Sequence, residues 1–531
     1  MIHVPKARTA NRTPLPTYTP IVQQPRGPDL LQLLGLRRFM RWKYSRLVFQ
    51  LPLLLLALMA IVDGFTGRQL APRNVATTSV WLHYRGLVVI ALAVFGNAFC
   101  AACPLMLTRH VSVRVERILT FKLRYPKPLK NKYLATIILL LFFFSYEYFD
   151  LWASPWLTAW LVVGYFGTAL LVDTLFPKGT FCKYLCPLGQ FNFMFASASP
   201  TQITAVNHDV CRTCKDKPCL HGRHTSTSEQ AAANVPQSAF IPLAEVVNPN
   251  GNGNFPGCET NLFVPTMQSN MDCTLCFNCL RACPYDNVAL TVRSPLWEWT
   301  HKPWSTKGQQ RGKFALMVMA ICLTFWGLLN ALAMITPFFA FAEWLADTLN
   351  THNEALLLGL LFAIVTIIGL SITLGAAHLA DVLGKGTQHS EQQQNSLTEA
   401  VLRWGYVVVA LGFGFWTAHY LFHFLTGALS IFPVFEHFFW YRGANLDPNW
   451  RLARMVPNAW LFPITAGITG LYGLLAMWVT VKISLRDYGL ERGVIAMWPM
   501  LIYVLVFTAI GLVLLAQPME MRGTIFGPVG G

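Results

Sequence analysis

Apolar residues along this chain gather into long unbroken runs rather than recurring at the three-to-four-residue spacing of an amphipathic helix. Nine runs approach or exceed the length of about 20 residues that a helix needs to cross the hydrocarbon core. They are 47–62, 80–99, 133–149, 156–176, 314–336, 355–374, 400–432, 459–481 and 494–516, and each predicts a spanning helix. The first is short and contains Gln50 and Pro52, but Arg37, Arg38, Arg41, Lys43 and Arg46 precede it and would anchor its start. No cleavage site of the A-x-A kind follows, so it reads as an uncleaved span.

The pattern breaks once. Residues 177–313, rich in Cys, Asn, Pro, Ser and Gly, divide the chain into a tail (1–46), a four-helix membrane bundle (47–176), a soluble insertion (177–313) and a second bundle of about five helices (314–531). Inside the insertion, 231–254 reads as a loop between two cysteine-bearing halves. The Pro- and Thr-rich residues up to Pro28 read as extended chain.

Composition and charge agree with a membrane protein. Of 531 residues, 54% are hydrophobic and 12% charged, against about 25% charged in an ordinary soluble chain. The net charge of +16 is distributed by topology. Arg109, Arg114, Arg117, Lys122, Arg124, Lys127, Lys130 and Lys132 crowd the loop between the second and third runs, against one acid, Glu116. The stretches 146–155 and 337–353 hold Glu147, Asp150, Glu343 and Asp347 with no Lys or Arg. Since Lys and Arg accumulate in cytoplasmic loops, the amino terminus and the insertion are expected on the cytoplasmic side of the inner membrane. The surplus charge then serves orientation and contact with anionic membrane lipid. With no soluble basic domain, nucleic-acid binding is excluded.

The cysteines carry the chemistry. Cys273, Cys276, Cys279 and Cys283, with Pro284 after the last, form the C-x2-C-x2-C-x3-C-P run of bacterial ferredoxins. Two-residue gaps let one tight loop aim three thiolates at one centre, and the fourth cysteine of such a run ligates a neighbouring cluster. Cys211, Cys214, Cys219 and the isolated Cys258 complete a set of eight. The expected assignment is crossed, with Cys211, Cys214, Cys219 and Cys283 on one [4Fe-4S] cluster and Cys273, Cys276, Cys279 and Cys258 on the other. Cys258 departs from the usual pattern, following Pro256-Gly257 and preceding Glu259 instead of Pro. Structural zinc suits paired C-x2-C units, but a third cysteine after two residues and a fourth with Pro after three favour a cubane. Disulfides fit less well, because the cytoplasm keeps thiols reduced and thirteen cysteines leave one unpaired. Cys322, alone in an apolar run, reads as a small core residue. The fold class expected is an all-α polytopic membrane protein with an inserted ferredoxin-like α+β domain holding two [4Fe-4S] clusters.

Two further motifs lie at the membrane surface. Cys100-Ala-Ala-Cys103-Pro104 ends the second run, and Cys182-Lys-Tyr-Leu-Cys186-Pro187 follows the fourth. Four thiols at one depth are candidates for a third metal or cluster site, or for redox cycling, with Lys183 and helix termini nearby to lower a thiol pKa. Packing beside a helix turn is the plainer alternative.

The segment Cys182-Lys-Tyr-Leu-Cys186-Pro187-Leu188-Gly189-Gln190, followed by ferredoxin-type cysteines inside a multi-span chain, resembles the NosR/NapH/CcoG type of membrane-bound polyferredoxin. The resemblance covers roughly 80–293 and implies electron delivery to a respiratory enzyme on the outer side, or service in maturing a metalloenzyme. The first Cys-Pro motif here has two intervening residues where that group has three, and no S/T-G-A-T flavin-attachment motif is present.

Polar residues inside the later runs complete the candidates. His419 and His423 stand four apart and so share a helix face. With His83, at similar depth near Tyr84 and Arg85, they are candidates for a haem or quinone site. Helix packing explains a lone intramembrane His equally well, as it does Asp173; His378 is expected at the inner end of the sixth run. The function expected is electron transfer between a cytoplasmic or quinone donor and a membrane or outer-side respiratory acceptor, by way of redox partner proteins. The alternative is an accessory factor for maturing or reducing metal, copper foremost. No G-x-G-x-x-G or Walker loop supplies a nucleotide site. The topology is tested by alkaline phosphatase fusions: activity is expected near Gly67 and none near Thr225, and the reverse would invert the chain.

Overall fold

The computed structural model describes residues 27–119, 123–223, 255–301, 304, 310–386 and 397–519. Lys122, the expected loop 231–254 and the extended stretch up to residue 26 lie outside them. In chain order the principal helices begin with α1 (Ser45–Thr66), α2 (Val75–Val94), α3 (Thr108–Leu119), α4 (Tyr133–Tyr148), α5 (Pro155–Leu175), α6 (Pro187–Phe195) and α7 (Asn278–Ala282). There follow α8 (Lys313–Leu332), α9 (Thr336–Leu349), α10 (Glu354–Lys385), α11 (Gly405–Gly427), α12 (Asn458–Ala496) and α13 (Trp498–Ala516).

Eight of these are long and apolar enough to cross a membrane. The third expected run is present as α4, but its 16 residues reach only about 24 Å, short of a core about 30 Å thick. The second run is shifted, since α2 stops at Val94 where Gly96 takes a left-handed φ of 77°. Residues 336–349, expected as a loop, form α9. The long α12 bends at Gly489, whose φ of 75° joins two helices at a turn.

The bundle is arranged around α11, buried at every position from Gly405 to Tyr420. A helix that is apolar on all sides belongs at a centre, and α11 packs against α12, α8 and α2. Lipid tails give no hydrophobic drive between helices, so fit and internal hydrogen bonds do the holding. Gly414 lets the backbone of α11 close on Tyr472 of α12, and Trp416 Nε1 donates to the Leu323 carbonyl at 2.8 Å. Large apolar side chains point outward where lipid would lie, among them Leu55 of α1, Ile367 of α10 and Val513 of α13.

The insertion holds the strands. β1 (Thr201–Ala205) pairs antiparallel with β4 (Val288–Val292), Thr201 opposite Val292, and β2 (Gly222–Arg223) pairs with β3 (Phe255–Pro256). First strand therefore meets last, and the middle two meet each other. Two boundaries move relative to the sequence expectation. Residues 27–41 are not a free tail: Gly27 donates to the Val292 carbonyl at 3.1 Å, Leu31 is buried with Ile203 and Leu290, and Arg37 and Arg41 both pair with Asp286. At the other side, α6 belongs to the bundle, because Phe191 packs on Trp416 and Tyr420 of α11 and Phe195 on Phe413. Its apolar side chains bury themselves between spans, and the insertion proper begins near β1.

Candidate functional site

Cys211, Cys214, Cys219 and Cys283 line one small cavity of about 20 Å³, walled by Phe263, Val264 and Tyr285. The first three come from the segment between β1 and β2, and Cys283 caps the end of α7. Asn287 joins the two sources: its Nδ2 donates to Cys211 Sγ at 3.2 Å, while its backbone N–H donates to Cys283 Sγ at 3.4 Å. Burial, with the neighbouring thiols adding to it, pushes Cys219 up to about 12 and Cys211 up to about 11. Four thiolates in this cavity would therefore be unfavourable without positive charge between them.

The second quartet is Cys273, Cys276, Cys279 and Cys258; burial raises the first three thiols, and the neighbouring cysteines, Cys258 among them, raise them further. Asp272, Leu275 and Phe277 hold φ between 51° and 62°, a left-handed backbone at three non-glycine positions. Such strain costs of order 1–3 kcal/mol per residue. Here it curls the loop so that the N–H groups of Leu275 and Asn278 face the thiols of Cys273 and Cys276. Cys258 reaches this loop because its N–H bonds the Cys219 carbonyl at 3.0 Å and Gly257 lies directly against the Leu220 backbone, where a side chain has no room. That close approach explains the Pro-Gly before the atypical cysteine. The quartets are thus crossed between the halves, and Cys279 neighbours Cys219.

Among the described residues, no three His, Cys, Asp or Glu side chains gather tightly enough for a single metal ion. A zinc site draws four sulfurs to about 2.3 Å from one ion, whereas a [4Fe-4S] cubane has iron at four alternate corners and takes one thiolate at each, further apart. N–H groups turn toward sulfur at Cys211, Cys258 and Cys283. No disulfide joins any cysteine, and Cys322 is buried in the wall of α8.

Ion pairs fasten the second quartet to the bundle. Glu259, next to Cys258, meets Arg46 of α1 at 2.5 Å and Arg109 of α3 at 3.0 Å, and Arg109 also meets Asp173 of α5 at 2.7 Å. Burial would raise the Glu259 carboxyl, but Arg46 and Arg109 overcome it and hold it at about 2. Asp173 is accordingly a structural partner. Lys132 pairs with Asp272 at 2.7 Å, and Asn97 Nδ2 donates to the Cys273 carbonyl at 2.6 Å.

Directly above lies a cavity of about 250 Å³ into which Cys100, Cys103, Cys182 and Cys186 all project. Its walls are mostly apolar, from Leu56 of α1 to Phe142 of α4; Tyr84 lies close to Cys100, Arg85 and Tyr420 stand at its far end, and Thr274 of the second quartet's loop stands at its near end. A π-helical turn, Phe181–Leu185, carries Cys182, and Cys186 caps α6 by accepting from Gly189 N–H at 3.2 Å. Lys183 does not activate these thiols, since its ammonium turns away to the Thr260 carbonyl at 2.8 Å. Burial instead pushes Cys182 and Cys186 up, and Cys100 up to about 12. Cys182 Sγ contacts Met106 Sδ at 3.3 Å, and Cys100 lies near enough to Cys273 to perturb it.

The histidines divide. His83 has Nδ1 against the Thr78 carbonyl at 2.9 Å and Nε2 against that of Ala428 at 3.1 Å, so a haem would have to displace one of those contacts. His419 and His423 pack edge to face with ring centroids 4.9 Å apart. His378 is exposed on α10. Residues that sequence reasoning missed are Asn287, Glu259 as a clamp, Met106 and Asn330; a lone Asn in an apolar run was the one available signal among them. Comparison with protein-family models, characterised proteins and solved structures finds no match.

Removing one partner of a buried ion pair costs about 3–5 kcal/mol. Glu259→Gln, which strands Arg46 and Arg109, is expected to lower the thermal midpoint by several degrees and to make the insertion protease-sensitive. An unchanged midpoint and proteolysis pattern would remove Glu259 from this role.

Proposed function

We propose that this chain is a membrane-bound iron-sulfur protein that passes single electrons between its cysteine-rich unit and a lipid-soluble quinone or a redox partner protein, as its resemblance to the NosR/NapH/CcoG type implies. The observation that carries this reading is the crossed assembly of two cysteine quartets, the second of them set against a thiol-lined apolar cavity. Cys211, Cys214, Cys219 and Cys283 would hold one [4Fe-4S] cluster; Cys258, Cys273, Cys276 and Cys279 would hold the other. Bound there, each cluster supplies a one-electron redox couple. The strand order, first with last and middle with middle, supports a ferredoxin-like unit, and the basic loops support a cytoplasmic setting.

The chain's own groups set the terms of transfer. N–H groups directed at Cys211, Cys258 and Cys283 stabilise added negative charge and raise the potential. Proximity orders the centres: Cys219 beside Cys279, then Cys273 beside Cys100 at the cavity. The cavity's apolar walls suit a flat quinone ring, and its aromatic far end gives that ring a surface to stack on.

One observation favours a second reading, service in copper maturation. Cys182 with Met106 forms a thiol and thioether pair at the cavity, and soft donors of this kind select Cu(I). An electron carrier is needed continuously by its partner, whereas a maturation factor leaves a preassembled partner active when removed.

Anaerobically prepared protein is expected to contain about eight irons and eight acid-labile sulfides, two cubanes' worth. Stoichiometric zinc with little iron would overturn the reading. Cys283→Ser is expected to disturb the EPR signal of the cluster held by Cys211, Cys214 and Cys219. Loss of the other signal instead would refute crossed ligation.

A further inference from the structure

Behind the far end of the cavity, closed by Arg85 and Tyr420, lies a buried polar chain that the electron path does not use. The Arg85 guanidinium lies over the Tyr420 ring at 5.2 Å. Beside Tyr420, His419 is fully buried and packs on His423. His419 Nε2 meets Asn330 Oδ1 at 3.1 Å, and Asn330 Nδ2 donates to Glu147 Oε1 at 2.6 Å. That order fixes the tautomer. An amide nitrogen committed to a carboxylate leaves its oxygen for His419, so Nε2 carries the hydrogen. Nδ1 is then a bare lone pair, and among the described residues no hydrogen-bond partner meets it. An unpaired buried acceptor costs free energy that packing alone does not explain.

We infer that His419 and His423 accept the two protons released when a quinol is oxidised in this cavity. The inference rests on the quinone reading above. In the reaction the quinol's two O–H bonds break, its electrons leave singly toward the cysteine-rich unit, and one N–H bond forms on each imidazole, leaving quinone. Tyr420 lines the cavity and lies beside His419 with ring centroids 6.0 Å apart, and His419 packs in turn on His423. Glu147, tied through Asn330, offsets the charge gained on His419. Because Glu147 lies at the end of α4 remote from the cysteine-rich unit, beside Asp150, the protons leave on that side of the bundle while the electrons leave on the other.

The test mixes cluster-loaded full-length protein with menadiol under anaerobic stopped flow and follows bleaching of the cluster absorption. Wild type is expected to bleach, and more slowly in D2O than in H2O. His419→Gln should slow bleaching by menadiol on the order of 100-fold or more, the loss expected of a proton-accepting group. Bleaching by dithionite should be equal in variant and wild type. Menadiol that bleaches both proteins alike would overturn the proton role alone. Menadiol that bleaches neither, while dithionite bleaches both, would overturn the quinone reading and the inference together. If His419→Gln fails to retain clusters, the wild-type comparison decides, and equal rates in D2O and H2O would overturn the inference.

Discussion

One partly buried carboxylate, Glu259, gathers the central ion pairs where the two parts of this protein meet. It receives Arg46 from the first span and Arg109 from the helix after the second, and Arg109 is itself balanced by Asp173. Two guanidiniums and two carboxylates thus leave solvent together, which avoids the large cost of an unpaired buried charge. Buried ion pairs contribute little net stability, because desolvation consumes most of their attraction. Their value here lies in direction. Glu259 adjoins Cys258, so the contact that docks the insertion also places the most isolated of its cysteines, and Thr274 of the same loop reaches the cavity between the spans.

Much of this was legible in the sequence because the underlying signals are local. Each of the nine apolar runs became a helix, and the spacing of Cys273, Cys276, Cys279 and Cys283 implied a loop whose last member serves the other half; in the structure Asn287 bonds both Cys211 and Cys283. What escaped was non-local. Nothing in 187–195 distinguishes a soluble amphipathic segment from a helix packed among the long apolar helices, since Phe191 and Phe195 become buried there only when α11 offers them Trp416 and Phe413. The activation expected of Lys183 failed for a similar reason, as proximity in sequence says nothing about which carbonyl an ammonium turns to. Asn330 and Glu147 are 183 positions apart and meet only through the bundle.

The four Cys-Pro thiols illustrate how burial sets chemistry. In an apolar cavity the neutral thiol is the favoured form, so the sequence-level expectation of activated thiolates reverses. A role as thiolates therefore requires a positive partner such as a metal ion, and oxidation requires that proton and electron leave together. The same environment protects them from adventitious oxidation, which begins from thiolate.

The bond between the segment at Gly27 and the strand at Val292 has a consequence for biosynthesis. During translation the amino-terminal segment emerges first, yet its partner strand emerges only after α1 to α7 and the whole cysteine-rich stretch. The ribosome adds about 5–20 residues per second, so the segment waits for on the order of 10 seconds or more. In that interval the helices of the first bundle can form and pack with the segment at Gly27 still unpaired. Closure of the Gly27 segment over β4 can follow only once both halves of the insertion are present.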